Sequence, residues 1–247
     1  EGFKKKILDQ YKIVEENNAS SDEKAVKEIN VGCYVFKAKA LFQALKAVKR
    51  DPVKREYYLT DVIALLSETG RVESVKTADQ DEVLGVNTRV DLARITEILQ
   101  KRILEELMLG GVGIRDPKTT IVDYGVRIGQ DTQLLPHTVI EEGAVIGKGC
   151  VIGPFARIRA GSQIGDLAIV GNIVEVVRSQ IGKATQIKHL SYLGDAEVGS
   201  YVNIGAGTIT ANFDGKNKHK TDLHDHAQVG SGTIFVAPVT MGRGAKT

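Results

Sequence analysis

Residues 139–165 read VIEEGAVIGKGCVIGPFARIRAGSQIG, and an isoleucine returns at every sixth position of this stretch. The same step continues in both directions, with two steps shortened to five and one longer interruption, through Val122, Ile128, Leu134, Ile140, Ile146, Ile152, Ile158, Ile164, Val170, Val176, Ile181, Ile187, Leu193, Val198, Ile204, Leu223, Val229, Phe235 and Met241. A small side chain stands two residues before most of these positions, at Cys150, Ala156, Ser162, Ala168, Thr185, Ser191 and Thr208. This hexapeptide pattern is typical of a parallel β-helix, in which three short strands make one triangular coil.

The pattern also predicts how the coils are filled. Residues two apart on a strand share a face, so each apolar residue and the small residue before it point inward. Glycine often follows the apolar position, for example at Gly147 and Gly165, and we expect it at corners where φ is positive. Coils of this repeat class run left-handed, an exception to the right-handed crossover rule. We therefore predict a left-handed parallel β-helix over residues 111–247, incomplete at its C-terminal end.

Residues 1–89 lack the six-residue step and have the mixed pattern of an α/β segment. IVEE and EINVGCYVF are predicted strands, because β-branched and aromatic residues lie between polar ones. AKALFQALKAV and REYYLTDVIALLSETG are predicted helices, because their apolar residues lie three and four apart. The same spacing in VDLARITEILQKRILEELM predicts a linker helix over residues 90–110, with Asn87 or Asp91 as its N-cap.

Composition excludes several classes of protein. The net charge of +2, with no clustered basic face, argues against a nucleic-acid partner. No apolar run approaches the ~18–20 residues of a membrane span, so no membrane partner is expected. The two cysteines do not form a disulfide framework, which favours a reducing, cytoplasmic location. The chain begins with Glu1 and stops inside the repeat at Thr247, so we expect a fragment of a longer protein.

Four polar side chains are expected on the outside of the prism. The register places His189 at the corner between two faces, Tyr192 and Asn203 on the outside of those faces, and Arg159 at the far corner of the first face. Residues 211–222, ANFDGKNKHKTD, cannot fill the core and are predicted to leave the prism as a loop. Loops extruded from a rigid scaffold often carry function, so this surface is the candidate site.

Residues 188–221, KHLSYLGDAEVGSYVNIGAGTITANFDGKNKHKT, resemble the acetyltransferase core of a bacterial bifunctional family. That family joins an N-acetylglucosamine-1-phosphate uridylyltransferase (a pyrophosphorylase) to a glucosamine-1-phosphate N-acetyltransferase. The segments EINVG, REYYLTD and GVNTR are similar to the C-terminal part of its uridylyltransferase domain. The resemblance implies synthesis of UDP-N-acetylglucosamine, a precursor of peptidoglycan and lipopolysaccharide, by a trimer whose acetyltransferase sites are shared between prisms.

The resemblance also implies roles for individual residues. His189 would be the general base that takes a proton from the amine of glucosamine-1-phosphate as this amine attacks acetyl-CoA. The implied sugar-phosphate ligands are Arg159, Tyr192, Asn203 and Lys218. The implied acetyl-CoA contacts are Ala206, Asn212, Phe213 and Ser231. The implied UDP-N-acetylglucosamine contacts are Glu15, Asn30 and Asn87, and Asn87 would also bind Mg²⁺ directly or through water.

The chain departs from the family pattern in five respects. The glycine-rich nucleotide loop and the aspartate that would share Mg²⁺ with Asn87 are absent, so this chain is not expected to transfer uridylyl groups from UTP. Several coils usual in the family are missing between Pro136 and Pro154, and the last coils would lie beyond Thr247. Val177 replaces a phosphate-binding lysine one coil above Arg159. A charge-assisted hydrogen bond contributes ~1.5–3 kcal/mol, so roughly 10–100-fold in affinity is expected to be lost.

Three alternatives remain open at this point. A non-catalytic or impaired hexapeptide scaffold is the first, suggested by Val177 and the missing ends. A zinc-dependent carbonic anhydrase of the γ class uses the same prism, and His224 and His226 lie close together in the sequence. Other sugar acyltransferases of this fold are the third.

Overall fold

The computed structural model describes residues 2–7, 10–15, 19–52, 54–70 and 72–247. The side chains of residues 2–7, 10–12 and 15 lie outside the description. The chain divides into two compact units, Glu1–Gly85 and Val86–Thr247. In the described residues, no helix is both long and apolar enough to cross a membrane.

The first unit combines a small antiparallel sheet with short helices. Its strands are β1 (Gly2–Ile7), β2 (Gln10–Glu15) and β3 (Ile29–Asn30), in the order β2-β1-β3. Its helices are α1 (Ser21–Lys24), α2 (Ala38–Leu45), α3 (Asp61–Thr69) and a 3₁₀ helix, Gln80–Val83. Both predicted helices of this unit are present, although α3 begins six residues later than REYYLTD suggested.

The strand predicted over EINVGCYVF is wrong beyond Asn30. The side-chain Oδ1 of Asn30 accepts hydrogen bonds from the N–H of Gly32 at 3.3 Å and from the hydroxyl of Tyr34 at 2.9 Å. Gly32 has a φ of +78°. An asparagine that bonds the backbone two residues on, followed by a left-handed glycine, turns the chain and ends the strand.

The second unit begins with helix α4 (Arg89–Leu109). Its N-cap is Thr88, and the predictions of Asn87 or Asp91 as cap were wrong by one position and by three. Thr88 Oγ1 accepts from the N–H of Asp91 at 3.1 Å, while Asp91 Oδ2 accepts from the N–H of Thr88 at 2.8 Å. This reciprocal arrangement is a capping box.

Helix α4 packs on the first coil of the prism. Leu104 is buried in the prism core. The side-chain amide of Gln100 donates to the carbonyl of Val122 at 2.9 Å and accepts from its N–H at 3.2 Å. This amide therefore bonds the edge of the first coil in place of another strand, and the helix covers that end of the core.

The rest of the unit is a prism with three faces, and each face is a sheet of parallel strands. Face A holds β5 (Ile121–Val122), β8 (Val139–Ile140), β11 (Arg157–Ile158), the second halves of β13 (Ile169–Val177) and β15 (Gln186–Gly194), β18 (Ile209–Ala211) and β21 (Ile234–Val236). Face B holds β4 (Gly113–Ile114), β7 (Gln133–Leu134), β10 (Val151–Ile152), the first halves of β13 and β15, β17 (Asn203–Ile204) and β20 (Gln228–Val229). Face C holds β6 (Arg127–Ile128), β9 (Val145–Ile146), β12 (Gln163–Ile164), β14 (Gln180–Ile181), β16 (Ala196–Val198), β19 (Thr221–Leu223) and β22 (Val239–Met241). The predicted β-helix is confirmed, and strands β13 and β15 run unbroken around the corner from face B to face A.

The predicted inward positions form the core. Ile140, Ile158 and Val176 stack on face A with no exposed surface. The small residues two positions earlier are buried as well, and their hydroxyls bond the backbone; for example, Thr185 Oγ1 donates to the carbonyl of Gly199 at 2.7 Å. Such bonds allow serine and threonine to lie inside an apolar core. Thr210 fills the core position that carries no aliphatic residue, and its hydroxyl bonds both backbone groups of Gly194.

The explanation expected for the glycines after the apolar positions is wrong for most of them. Gly147, Gly165 and Gly182 are not in the left-handed region. A Cβ on Gly182 would lie 2.4 Å from the carbonyl carbon of Gly199 on the next coil, and a Cβ on Gly165 would lie 2.8 Å from the nitrogen of Lys183. These positions need glycine because successive coils approach closely there, and several left-handed corners hold residues with side chains, such as Leu190 at φ +43°.

Candidate functional site

One column of residues runs along the corner between faces B and A. Ile187 pairs with Ile204, and Ile204 pairs with Val229, so the residues two positions later, His189, Ala206 and Ser231, are stacked on successive coils. Asn172 pairs with His189 from the coil before. Coils are spaced by about 4.8 Å, so this corner column aligns the predicted base and two predicted acetyl-CoA contacts within roughly 10 Å.

His189 is exposed on this corner, as the register predicted. Its carbonyl accepts a hydrogen bond from Ser191 Oγ at 2.7 Å, which fixes the backbone. Among the described residues, none is hydrogen-bonded to its imidazole ring. Both ring nitrogens therefore remain free to exchange protons with a bound molecule.

Tyr192 and Asn203 lie on the two faces that meet at this corner. Tyr192 stands outside face A, in register with Glu175 on one side and Ile209 on the other. Asn203 stands outside face B, opposite Gln186. His189 is three residues from Tyr192 and three from Gln186, so extended chain separates it from each by at most about 10 Å.

The phenol of Tyr192 leans toward the next corner, between faces A and C. A Cβ added to Gly194 would lie 2.5 Å from Tyr192 Oη and 2.8 Å from Asn212 Nδ2. Gly194 therefore leaves the space in which the phenol and the amide approach each other. The closeness of these two side chains explains glycine at position 194, because Gly194 is not in the left-handed region of φ.

A charged cluster occupies this A–C corner. Arg178 donates to Asp195 through Nε at 2.7 Å and Nη2 at 2.8 Å, and Asp195 also accepts from the side-chain amide of Asn212. The hydrogen bond from Arg178 is the main reason why the pKa of Asp195 lies below its ordinary value, with Asn212 and Lys218 adding to the effect against partial burial. The same bond raises the pKa of Arg178.

Arg159 lies one coil below Arg178 and two coils below Asp195, and its charge already has partners. Val177 is in register with Gly194 and, by continuation of the Ile158–Val176 pair, with Arg159. Val177 is 3% exposed, and its aliphatic side chain contributes no charge to the corner. Arg159 Nη1 is 3.0 Å from Glu175 Oε1, and Arg159 Nε is 3.7 Å from Glu141 Oε1. The Nε atom is buried and has no hydrogen-bond partner among the described residues, so the guanidinium retains donor capacity.

Glu141 is shared by two arginines. Arg157 donates to it through Nε at 2.8 Å, and the N–H of Ala160 lies 3.4 Å from its other oxygen. Partial burial works to raise the pKa of Glu141, but these hydrogen bonds and the nearby guanidinium groups of Arg157 and Arg159 hold it below its ordinary value. The carboxylate is therefore ionised at neutral pH.

The predicted loop is an ordered hairpin over residues 212–220. Its tip is closed by Asp214, whose Oδ1 accepts from the N–H groups of Lys216 and Asn217 at 2.8 and 2.7 Å. His219 Nε2 lies 2.7 Å from Asp214 Oδ2. Phe213 and Lys218 pair across the hairpin, and Phe213 is 60% exposed. The hairpin therefore presents an aromatic ring and a cation outside the prism.

The predicted residues of the uridylyltransferase part are divided between the two units, with Glu15 and Asn30 in the first and Asn87 in the second. Glu15 is in strand β2, but its side chain lies outside the described residues. Asn30 and Asn87 belong to different units, and each is used locally: Asn30 in its turn and the N–H of Asn87 in a 3.2 Å bond to Asp91. The carboxylate beside Asn87 is that of Asp91, and its Oδ2 already accepts from the N–H groups of Asn87 and Thr88 and from the hydroxyl of Thr88 at the helix cap. The described residues around Asn87 do not by themselves fit Mg²⁺.

The histidines considered for zinc are arranged differently. His226 stacks on Tyr201 with ring centroids 5.2 Å apart. Within the described part of the chain, no group of three or more histidine, cysteine, aspartate or glutamate side chains is placed to hold a metal ion.

Three functional candidates were missed by sequence reasoning: Glu175, Arg178 and Asp195. A signal for two of them existed, because Asp195 lies 17 residues after Arg178, the same interval that separates the paired Val177 and Gly194. Arg178 was not expected to replace the absent lysine at position 177, and its guanidinium is bonded to Asp195 on the next coil.

Part of the prism matches a known family of repeats. Residues 125–160 and 143–176 match the family model described as bacterial transferase hexapeptide (six repeats). Over nearly its whole length the chain is also a relative of a particular group of proteins. It is 44% identical over 268 aligned residues to bifunctional protein GlmU of Geobacillus sp. (strain WCH70), covering 95% of this chain and 58% of that protein. It is 41% identical over 282 residues to bifunctional protein GlmU of Carboxydothermus hydrogenoformans, covering 99% of this chain and 63% of that protein.

The predicted resemblance is therefore confirmed, and the chain spans about 58% of the length of such relatives. Among solved structures, the acetyltransferase domain of PglB from Neisseria gonorrhoeae gives a TM-score of 0.32 at 16% identity, covering 61% of this chain and 62% of that one.

Proposed function

We propose that this chain carries the acetyltransferase part of a UDP-N-acetylglucosamine-synthesising enzyme. It transfers the acetyl group of acetyl-CoA to the amine of glucosamine-1-phosphate. The observation that carries the proposal is the corner column, in which an exposed histidine with a free ring is stacked below Ala206 and Ser231. The 44% identity to a bifunctional protein GlmU over 95% of the chain supports it.

The chemistry assigned to His189 is general-base catalysis. The amine nitrogen attacks the thioester carbonyl carbon, the C–N bond forms, and the C–S bond breaks. His189 takes the proton that the nitrogen loses and returns it to the departing coenzyme A thiolate. An imidazole suits both steps because its unperturbed pKa is near 6.5, and such a group typically supplies about 10²–10⁴-fold in rate.

The remaining residues are assigned by position. The linear arm of acetyl-CoA lies along the corner column past Ala206 and Ser231, with Asn212 and Phe213 from the hairpin of a neighbouring prism beside it. Tyr192 and Asn203 hold the sugar. Arg159 and Lys218 hold the phosphate, because guanidinium and ammonium groups make charge-assisted hydrogen bonds to phosphate oxygens.

The proposed site includes residues of more than one prism. The corner column and the A–C corner cluster lie at opposite edges of face A, with at most about 20 Å of extended chain between His189 and Asp195. The homotrimer implied by the resemblance brings the His189 corner of one prism against another prism, and the exposed hairpin extends toward the neighbour.

The uridylyl step is assigned to the longer protein, with UTP and N-acetylglucosamine-1-phosphate as substrates and UDP-N-acetylglucosamine as product. Glu15, Asn30 and Asn87 would contact that product. Mg²⁺ would neutralise phosphate charge in this step, and Asn87 would supply one of its oxygen ligands. A cytoplasmic location is proposed because Cys33 and Cys150 are both free thiols.

A second candidate is an impaired scaffold, and a specific observation favours it. The lysine position holds the buried Val177, and Arg159 is paired with Glu175 at 3.0 Å. Both features weaken phosphate binding. The scaffold differs from the enzyme in one measurable respect, which is whether acetyl transfer occurs at all.

The test measures N-acetylglucosamine-1-phosphate by mass spectrometry after mixing the chain, acetyl-CoA and glucosamine-1-phosphate. We expect product from the wild-type chain, and a loss of about 10²-fold or more in kcat for His189→Ala. Lys188→Ala is the matched control, because Lys188 is the exposed neighbour on the same corner. A wild-type chain without product would establish the scaffold, and an unchanged rate in His189→Ala would remove this residue from the mechanism.

A further inference from the structure

Asp195 connects both ends of the hairpin to the prism. Its side chain accepts from the amide of Asn212, where the hairpin leaves, and its carbonyl accepts from the N–H of Thr221 at 3.3 Å, where the chain returns. Its own N–H donates to the carbonyl of Val177 at 3.1 Å on the coil below. The residue itself has a φ of +48°, a conformation that aspartate tolerates better than most side chains.

Arg178 fixes the charge of Asp195. Its fork makes two hydrogen bonds, at 2.7 and 2.8 Å, which is the bidentate geometry that arginine forms with carboxylates. With this guanidinium beside it, the pKa of Asp195 stays below its ordinary value. Asp195 is therefore ionised at neutral pH and only accepts hydrogen bonds.

An acceptor-only carboxylate determines how Asn212 is turned. The NH₂ end of the amide must face Asp195, so the carbonyl Oδ1 faces away from it. Asn212 is 7% exposed and lies beside the phenol of Tyr192 at Gly194, so its amide is confined. Hydrogen bonding fixes this orientation, because reversing the amide would place Asn212 Oδ1 against a carboxylate oxygen of Asp195.

We infer that Asp195, held by Arg178, is a positioning residue that anchors the hairpin and makes Asn212 present a hydrogen-bond acceptor to the ligand. The inference rests on the proposed function for the identity of the ligand. The group that Asn212 recognises is then a donor, an N–H or O–H of acetyl-CoA or of the amino sugar. A ligand that offers only acceptors at this position is rejected. Asn212 cannot turn its NH₂ group toward such a ligand without placing its Oδ1 against the ionised carboxylate of Asp195.

An exchange of the two side chains tests the orientation. Asp195→Asn is expected to lower kcat/KM about 10-fold, and Asn212→Asp to lower it further because two carboxylates then face each other. The double variant Asp195→Asn with Asn212→Asp restores one amide and one carboxylate, with an acceptor oxygen again toward the ligand. We expect it to be at least about 5-fold more active than Asn212→Asp alone. A double variant no better than that single variant overturns the inference.

Asp166→Asn is the matched control. Asp166 is another corner aspartate of the prism, and its Oδ1 accepts the N–H of Lys148 at 2.8 Å, far along the sequence from the hairpin. We expect its kcat/KM to remain within about 2-fold of wild type. A fall equal to that of Asp195→Asn would mean that the loss reflects any corner aspartate and would overturn the positioning role.

Limited trypsin digestion tests the anchor without the reaction. Cleavage after Lys216 and Lys218, followed by mass spectrometry, reports how often the hairpin opens. We expect these bonds to be cut about 10-fold faster in Asp195→Ala than in wild type or Asp166→Asn, since charged hydrogen bonds of this kind contribute about that factor. Unchanged cleavage overturns the anchor. A wild-type chain that is inactive defeats the proposed function, yet this digestion still decides whether Asp195 holds the hairpin.

Discussion

Restoring a lysine at position 177 should strengthen binding of the sugar phosphate. Val177 is one coil, about 4.8 Å, above Arg159 and follows Glu175 by two residues on the same outward side of the strand. A lysine there places an ammonium group next to the guanidinium, and Glu175 limits the repulsion between the two cations. We expect Val177→Lys to lower the KM for glucosamine-1-phosphate and to leave kcat and the KM for acetyl-CoA within about 2-fold.

The magnitude follows from the surroundings of the position. A charge-assisted hydrogen bond to phosphate contributes ~1.5–3 kcal/mol, equivalent to roughly 10–100-fold. The lower end applies here, because Arg159 is already paired with Glu175 at 3.0 Å and the phosphate must compete for it. We therefore expect about a 10-fold decrease in KM. Loss of a side chain that is 3% exposed should also cost about 1 kcal/mol of stability.

The assay measures initial rates of N-acetylglucosamine-1-phosphate formation against glucosamine-1-phosphate at saturating acetyl-CoA. Val177→Met is the matched control, since methionine has a similar length and no charge. The benefit of lysine should shrink as salt is added, because part of the new charge reaches solvent. An equal gain in Val177→Met, or no change in KM with lysine at low salt, would refute the assignment of this corner to phosphate binding.

Two further predictions concern stability. Leu104→Ala should lower the free energy of unfolding by about 2–5 kcal/mol in urea titration, because Leu104 is 3% exposed in the prism core, whereas Leu109→Ala, at 91% exposure on the same helix, should have little effect. Equal effects of the two variants would argue against packing of helix α4 on the first coil. The pKa of Asp214 is held below its ordinary value, first by the N–H of Asn217 and then by His219, so its stabilisation of the hairpin is present above about pH 4 and is lost as the pH falls through the depressed value. The protection factor of the Asn217 N–H in hydrogen–deuterium exchange, taken relative to the intrinsic rate at each pH, should fall at that acid end, and a fall already at pH 5–6 would contradict this origin.

The repeat made the prism predictable in detail. Each strand carries one aliphatic and one small residue on its inward face. A shift of one residue in the register would turn both outward, so the sequence allows only one register. The short elements of the first unit are less determined. EINVGCYVF has strong strand propensity, but the side-chain bonds of Asn30 turn the chain after two residues. The N-cap of α4 was missed because Thr88, Asn87 and Asp91 are all acceptable caps, and only the reciprocal bonds decide between them.

The candidate site was predictable in position and less so in contacts. An interval of 17 residues stacks Ala206 on His189, and a longer step of 25 residues, which includes the hairpin, stacks Ser231 on Ala206. The ion pairs on Arg159 and Asp195 depend on side-chain rotamers, which the repeat does not encode. Glu175 shows this, because its register next to Tyr192 is visible in the sequence while its bond to Arg159 is not.

Gln100 bonds the backbone of only the first coil, and each later coil is bonded in turn by its successor. Such a molecule is modular along one axis, since every layer meets only two neighbours. A full layer inserted or removed away from the hairpin would leave all other interlayer pairings intact. Chain length in this architecture can therefore change by whole layers without altering the residues of the corner column.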